Sequence, residues 1–237
     1  MRIILFLICL LVLSSIQAQN SVLVFHKTDG FHHESIKAGC EFFQQLGKEN
    51  NFQVTITDDA SIFNKKELKN FKLVVFLNTT GNILNRKQEK AFEKFMTNGG
   101  NFLGIHSAAD TEYDWEWYGQ LVGAYFVSHP KACEAEIQLN QSKHPAVSHL
   151  PEVWKRTDEW YNYKFVNEDI EVLLNLDETT YEGGENGKEH PIAWYHKLGN
   201  DNVAMYTGGG HTTEAYQEPL FKEHLLQCVL WAFSENK

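Results

Sequence analysis

The groups in this chain best suited to chemistry are its histidines and the carboxylates near them, and one histidine stands in a demanding place. In "NGGNFLGIHSAAD" (Asn98–Asp110) two glycines stop a helix, an apolar run follows, and His106 comes where the chain must turn sharply. Some enzymes expose a catalytic group at such a strand-to-helix corner. Imidazole titrates near neutral pH, so His106 could move a proton or ligate a metal through a neutral nitrogen. The plainer alternative is a histidine that only hydrogen-bonds the turn.

Other candidates lie far from it in sequence. His33 follows Gly30–Phe31 where a first helix begins, a place that favours an anion or a neutral imidazole. His129 precedes Pro130, which holds it extended. His211 ends "TGGGH", whose glycines either let backbone approach a ligand or form a simple flexible loop. "TDEWYNY" sets Asp158 and Glu159 beside Trp160 and Tyr161, a mixture that suits a sugar ring as well as it suits the edge of an aromatic core. Asn78, Ser107, Asp110 and Glu214 complete the expected substrate-binding set. His33, His106, His129, Glu159 and His211 carry donors that a divalent ion such as zinc accepts, with His106, His129, Glu159 and His211 foremost. No HExxH-like spacing is present, so only the fold could gather them, and the cofactor stays open. His144, His149, His190 and His224 read as ordinary.

The elements that must position these groups alternate. "VLVF" (22–25), "LVVFL" (73–77) and "FLGI" (102–105) are short apolar runs, as in strands buried on both faces. "FQVTIT" (52–57) alternates like a second strand. Helices are expected at about 34–48, near 65–68, and after Asn85, which can form a capping box with Gln88. Strand–helix alternation implies a parallel sheet with helices on both faces. Ligands bind at the carboxyl ends of such strands, where His26–His33, Asn78–Thr80 and His106–Asp110 all fall. The second half differs. Cys133–Leu139 alternates as a half-exposed strand, "EVLLNL" and "IAWYH" read as strands, and "KLGND" should fold "IAWYH" onto "NVAMYT" as a hairpin. A closing helix is expected over 218–234.

Residues 1–19, "MRIILFLICLLVLSSIQAQ", have the plan of a secretory signal peptide, with an early Arg, an apolar run and a small-residue end. The alternative, an uncleaved anchor, is disfavoured because a span needs about 20 apolar residues. Residues 20–237 then form a single domain, secreted or periplasmic and free of the membrane after cleavage. The net charge of −10 argues against nucleic acid as a partner. Cys40, Cys133 and Cys228 are far apart and read as buried small hydrophobes, with one disulfide left open. Oligomeric state is also open.

"GFHHES", "NGGNFLGIHSAADT", "SHP", "DEWY", "HPIAWYHKLG" and "YTGGGHTTEAY" occur in this order. Together they resemble the ThuA-like (trehalose utilisation) family over nearly the whole chain. The resemblance implies a class I glutamine amidotransferase-like fold: a flavodoxin-like three-layer α/β sandwich, mostly parallel, with an added β-hairpin. Amidotransferases carry a Cys in "G-[IV]-C-x-G" at the corner; "GIHSA" has His106 there, so thiolate-based glutamine hydrolysis is not expected. His211 and Glu214 resemble the amidotransferase His-x-Glu pair, but their spacing differs by one and that role is not carried over. The family implies a carbohydrate partner, a glycoside or keto-sugar, with His33, His106 and His211 as catalytic candidates. A non-catalytic sugar-binding module on the same fold is the alternative, and a serine hydrolase using Ser107 with His211 a third reading.

Overall fold

The computed structural model describes residues 19–199 and 202–235. The signal-peptide reading, apart from Gln19, and the tip of the hairpin turn lie outside the described residues.

The first half alternates as its pattern demands. β1 (Ser21–Phe25) is followed by α1 (Ile36–Glu49), β2 (Gln53–Thr57), the short α2 (Lys65–Leu68), β3 (Leu73–Leu77), α3 (Arg86–Thr97) and β4 (Asn101–Ile105). β1, β3 and β4 are buried at every position. Asn85 caps α3 in a full capping box with Gln88. Adjacent residues of a strand face opposite ways, and β3 shows both helical layers. Phe76 stacks on Phe92 of α3 at 5.4 Å, whereas Leu77 lies close against Gly39 of α1. α4 (Glu116–Val122) joins α3 through Trp117 and Phe92, 5.9 Å apart. α5 (Pro219–Ser234) joins α1 through Tyr216, which touches Phe42 and Phe221.

The second half adds β5 (Ala124–Ser128), β6 (Cys133–Leu139), β7 (Val153–Asp158), β8 (Asn162–Phe165), β9 (Glu171–Leu176), β10 (His190–Leu198) and β11 (Asn202–Thr207). The main sheet runs β2-β1-β3-β4-β11-β10-β9-β6-β7. β2, β1, β3, β4 and β11 are parallel, and beyond β11 every pairing is antiparallel. The expected β10–β11 hairpin is therefore the root of a larger extension. β5 and β8 pair separately. Cys40, Cys133 and Cys228 are all free thiols. Burial pushes the Cys228 thiol up to about 12, so it behaves as a small apolar side chain. Among the described residues no helix is long and apolar enough to cross a membrane.

Candidate functional site

The carboxyl ends of the parallel strands converge as the sequence patterning requires, and the ends of two extension strands join them. His106 is the first residue after β4. It has φ +49 in a region that non-glycine residues rarely adopt, and it is fully buried. Two bonds hold the corner: the Tyr206 hydroxyl donates to the His106 carbonyl at 2.6 Å, and His106 Nδ1 lies 2.9 Å from the Gly208 carbonyl. A carbonyl only accepts, so Nδ1 carries the hydrogen, and in the neutral ring Nε2 keeps its lone pair.

That lone pair faces the rest of the cluster. His106 Nε2 lies 3.3 Å from His211 Nδ1 and 3.5 Å from Glu159 Oε2. His211 Nδ1 is 3.1 Å from the same Glu159 oxygen. His33, buried on the loop after β1, sets its ring edge-on to both partners, with centroids 4.9 Å from His106 and 5.2 Å from His211. Each of His33, His106, Glu159 and His211 offers a ligand atom, and these atoms all lie within 4.8 Å of one another. Tyr161 covers the His106 ring at 4.3 Å. His129 approaches from the rim, its Nδ1 3.1 Å from Glu159 Oε1.

The charges follow from this packing. Burial alone would raise the Glu159 carboxyl, but the His106 and His211 imidazoles outweigh it and hold the group well below the usual carboxylate range. Its hydrogen bond with Glu159 raises His211 above the ordinary imidazole value. Burial, reinforced by His106 and His211, pushes His33 down to about 3, so it is neutral at physiological pH. Burial raises Asp110, opposed by the Tyr113 hydroxyl that donates to it at 2.7 Å. One site thus holds a neutral imidazole, a proton-holding imidazole and an ionised carboxylate.

A buried ion pair fixes the cluster from behind. Asp158, fully buried at the end of β7, accepts the backbone N–H groups of Glu159, Gly210 and His211 at 2.8–3.0 Å. Its counter-ion, Arg156, is 3.0 Å away and sandwiched between Trp154 and Phe221. A single carboxylate therefore ties the Glu159 strand end to the His211 loop. The glycines of "TGGGH" serve this packing. A Cβ on Gly209 would run into Arg156 Nη1, and Gly210 has φ +113 under the Tyr216 hydroxyl.

Several expected binding residues take other places. Trp160 is buried with no exposed surface and donates its indole N–H to the Cys133 carbonyl, so it offers no face to a sugar. Glu214 is exposed at the start of a 3-10 turn, apart from the cluster. Asn78 is buried and bonds Ser35 Oγ and the Gly210 carbonyl, which makes it a strut between loops. Ser107 has His33, not His211, as its imidazole neighbour, at 3.4 Å. His129 does not complete the metal-ligand set; His33 does. Sequence reasoning missed Arg156, Phe31 and Tyr113. Phe31 is 65% exposed and meets His33 at 4.8 Å, and Tyr113 is 45% exposed beside Asp110, so both flank the site with aromatic surface.

A parallel sheet of this order with a loaded corner after β4 defines the class I glutamine amidotransferase-like fold, here with an imidazole at the corner. Over residues 21–232 the chain matches the ThuA family, Trehalose utilisation, and it belongs to that family. A ThuA-like protein from Bacteroides uniformis is similar in structure, with 25% identity and a TM-score of 0.78, the match covering 92% of this chain and 93% of that one. A ThuA-like protein from Parabacteroides merdae aligns with a TM-score of 0.76 at 21% identity, over 90% of each chain. A GMP synthase protein from Thermoplasma acidophilum shares the fold at a TM-score of 0.54 and 13% identity, over 93% of this chain and all of that one. No protein of curated function matches this chain in sequence.

Proposed function

We propose that this protein is an exported enzyme acting on a glycoside or keto-sugar by histidine acid/base chemistry, without glutamine amidotransferase activity. The leader-like plan of residues 1–19 supports export, and membership of a trehalose-utilisation family supports a carbohydrate substrate. The observation that carries the reading is the pairing at the corner. In its neutral ring His106 presents an acceptor at Nε2, and 3.3 Å away His211 holds a proton against Glu159.

That arrangement provides a base and an acid in one pocket. His106 Nε2 takes a proton from a hydroxyl or from the carbon beside a carbonyl. His211, with Glu159 stabilising its charged form, returns a proton to the developing oxygen or the departing group. Positioned groups of this kind accelerate such steps by about 10²–10⁴-fold each. Glutamine hydrolysis through a corner thiol needs a sulfur that position 106 lacks. Phe31 and Tyr113 offer the apolar faces that sugar C–H groups pack on, the part assigned to Trp160 on sequence grounds.

The test is turnover of trehalose and keto-glycosides by the wild type and by His211→Ala, a half-buried position whose loss leaves the core intact. The reading expects product from at least one sugar and a fall of about 10²-fold or more in kcat for the variant. Saturable sugar binding with no product from any substrate would establish the binding-module alternative instead.

A further inference from the structure

Two lone pairs point at one another in this cluster. In the neutral ring whose Nδ1 donates to Gly208, His106 Nε2 is an acceptor, and Glu159 Oε2 is a carboxylate oxygen; they stand 3.5 Å apart with little water access. Buried acceptors facing each other are costly unless something positive lies between them. The protein's own supply is a single Nδ1–H of His211, shared between both at 3.1 and 3.3 Å. One proton divided between two acceptors is a weak solution for a buried group that the fold takes such trouble to position.

The distances suit a larger cation. Ligand atoms about 2.1 Å from a tetrahedral metal lie about 3.4 Å from one another. The edges among His106 Nε2, His211 Nδ1 and Glu159 Oε2 are 3.3, 3.1 and 3.5 Å. The fourth ligand atom, from His33, lies within 4.8 Å of the others. The surrounding contacts are those a ligand set needs. His106 is locked by the Gly208 carbonyl, His33 by Ser107, and Glu159 by His129 on its other oxygen. His129 Nδ1 also faces the Pro130 carbonyl at 2.9 Å, so it carries a hydrogen and orients Glu159 instead of ligating.

We propose that His33, His106, Glu159 and His211 form a binding site for one divalent transition-metal ion of the zinc class, whose role is to polarise a carbonyl or hydroxyl oxygen of the sugar. Three imidazoles with one carboxylate select zinc, cobalt or nickel over magnesium or calcium, which prefer all-oxygen sites. The assignment takes from the proposed function the sugar substrate and this pocket; with an ion bound, His106 Nε2 and His211 Nδ1 are ligands and polarisation by the ion replaces their proton transfer, so the two readings fail separately.

Chelator-stripped protein is titrated with Zn²⁺ by calorimetry and with Co²⁺ by visible absorption, in the wild type, Glu159→Gln, His211→Ala and His129→Ala, with the fold of each checked by circular dichroism. Expected are one equivalent bound, the intense visible bands of low-coordinate cobalt, a loss of more than about 100-fold in affinity for Glu159→Gln and His211→Ala, and about 10-fold for His129→Ala. Absence of binding to folded wild type, or equal affinity in the wild type and the two ligand variants, overturns the proposal. Full sugar turnover by stripped protein would sink the metal and leave the acid/base reading standing. Metal binding without turnover of any sugar would do the reverse.

Discussion

The molecule buries two groups of histidines, and their difference separates structure from chemistry. His224 and His190 are as deep as His106, but each finds its partners in the fold. His224 bonds the Ala146 carbonyl and faces Thr207; His190 bonds the Tyr161 carbonyl and Glu178. His196 likewise donates to the Leu121 carbonyl. In these closed sites the imidazole is a strut. His33, His106 and His211 instead turn toward one another and toward Glu159, each keeping a nitrogen for the shared centre. Burial does not mark a functional histidine here; an uncommitted ring nitrogen aimed at a common point does.

The comparison is broken most directly at Glu159. Glu159→Gln keeps the shape and removes the charge that holds the His211 proton, so kcat is expected to fall by about 10²–10⁴-fold with little change in Tm; a large Tm loss with normal turnover would make Glu159 a strut as well. Asp158→Asn tests the support behind the site. It leaves the buried Arg156 guanidinium with Glu218, at 2.9 Å, as its remaining carboxylate, which costs about 3 kcal/mol of stability in a denaturant titration, the low end for a broken buried pair, and loosens both Glu159 and His211. His190→Asn is the contrasting case: by removing hydrogen bonds to Glu178 and the Tyr161 carbonyl it should lower stability by about 2 kcal/mol while kcat stays within about threefold of wild type.

A pH dependence follows from a third buried histidine. Burial holds His224 down to about 4 in the folded chain, against 6.5 for an ordinary imidazole. Its depressed value means that the unfolded chain takes up the proton first as pH falls. The stability due to neutral His224 is complete above pH 6.5 and is lost progressively between there and about 4, on the order of 3 kcal/mol in all. His224→Phe should flatten that part of the stability curve; an unchanged acid slope would contradict the assignment.

The parallel half was readable because physics writes it plainly. Strands buried on both faces give unbroken apolar runs at Val22–Phe25 and Leu73–Leu77, and Asn85 with Gln88 announces α3. β7 was not readable. Its alternation places Trp154, Arg156 and Asp158 inward and Val153, Lys155 and Thr157 outward, so an ion pair sits where apolar residues are expected. The same phase carries Trp160 into the core, which is why a residue that suited a sugar platform by type has no face to offer. The histidines were legible by type and by their positions after strands, but the choice of His33 over His129 depends on contacts across more than 70 residues of chain, which no local pattern records.

Whether the corner imidazole does chemistry is decided by steady-state kinetics of His106→Gln on the sugar the wild type turns over, with circular dichroism to establish that the variant is folded. Expected is a folded protein that still binds the sugar and has lost at least about 10²-fold in kcat. A folded variant with wild-type kcat would contradict it.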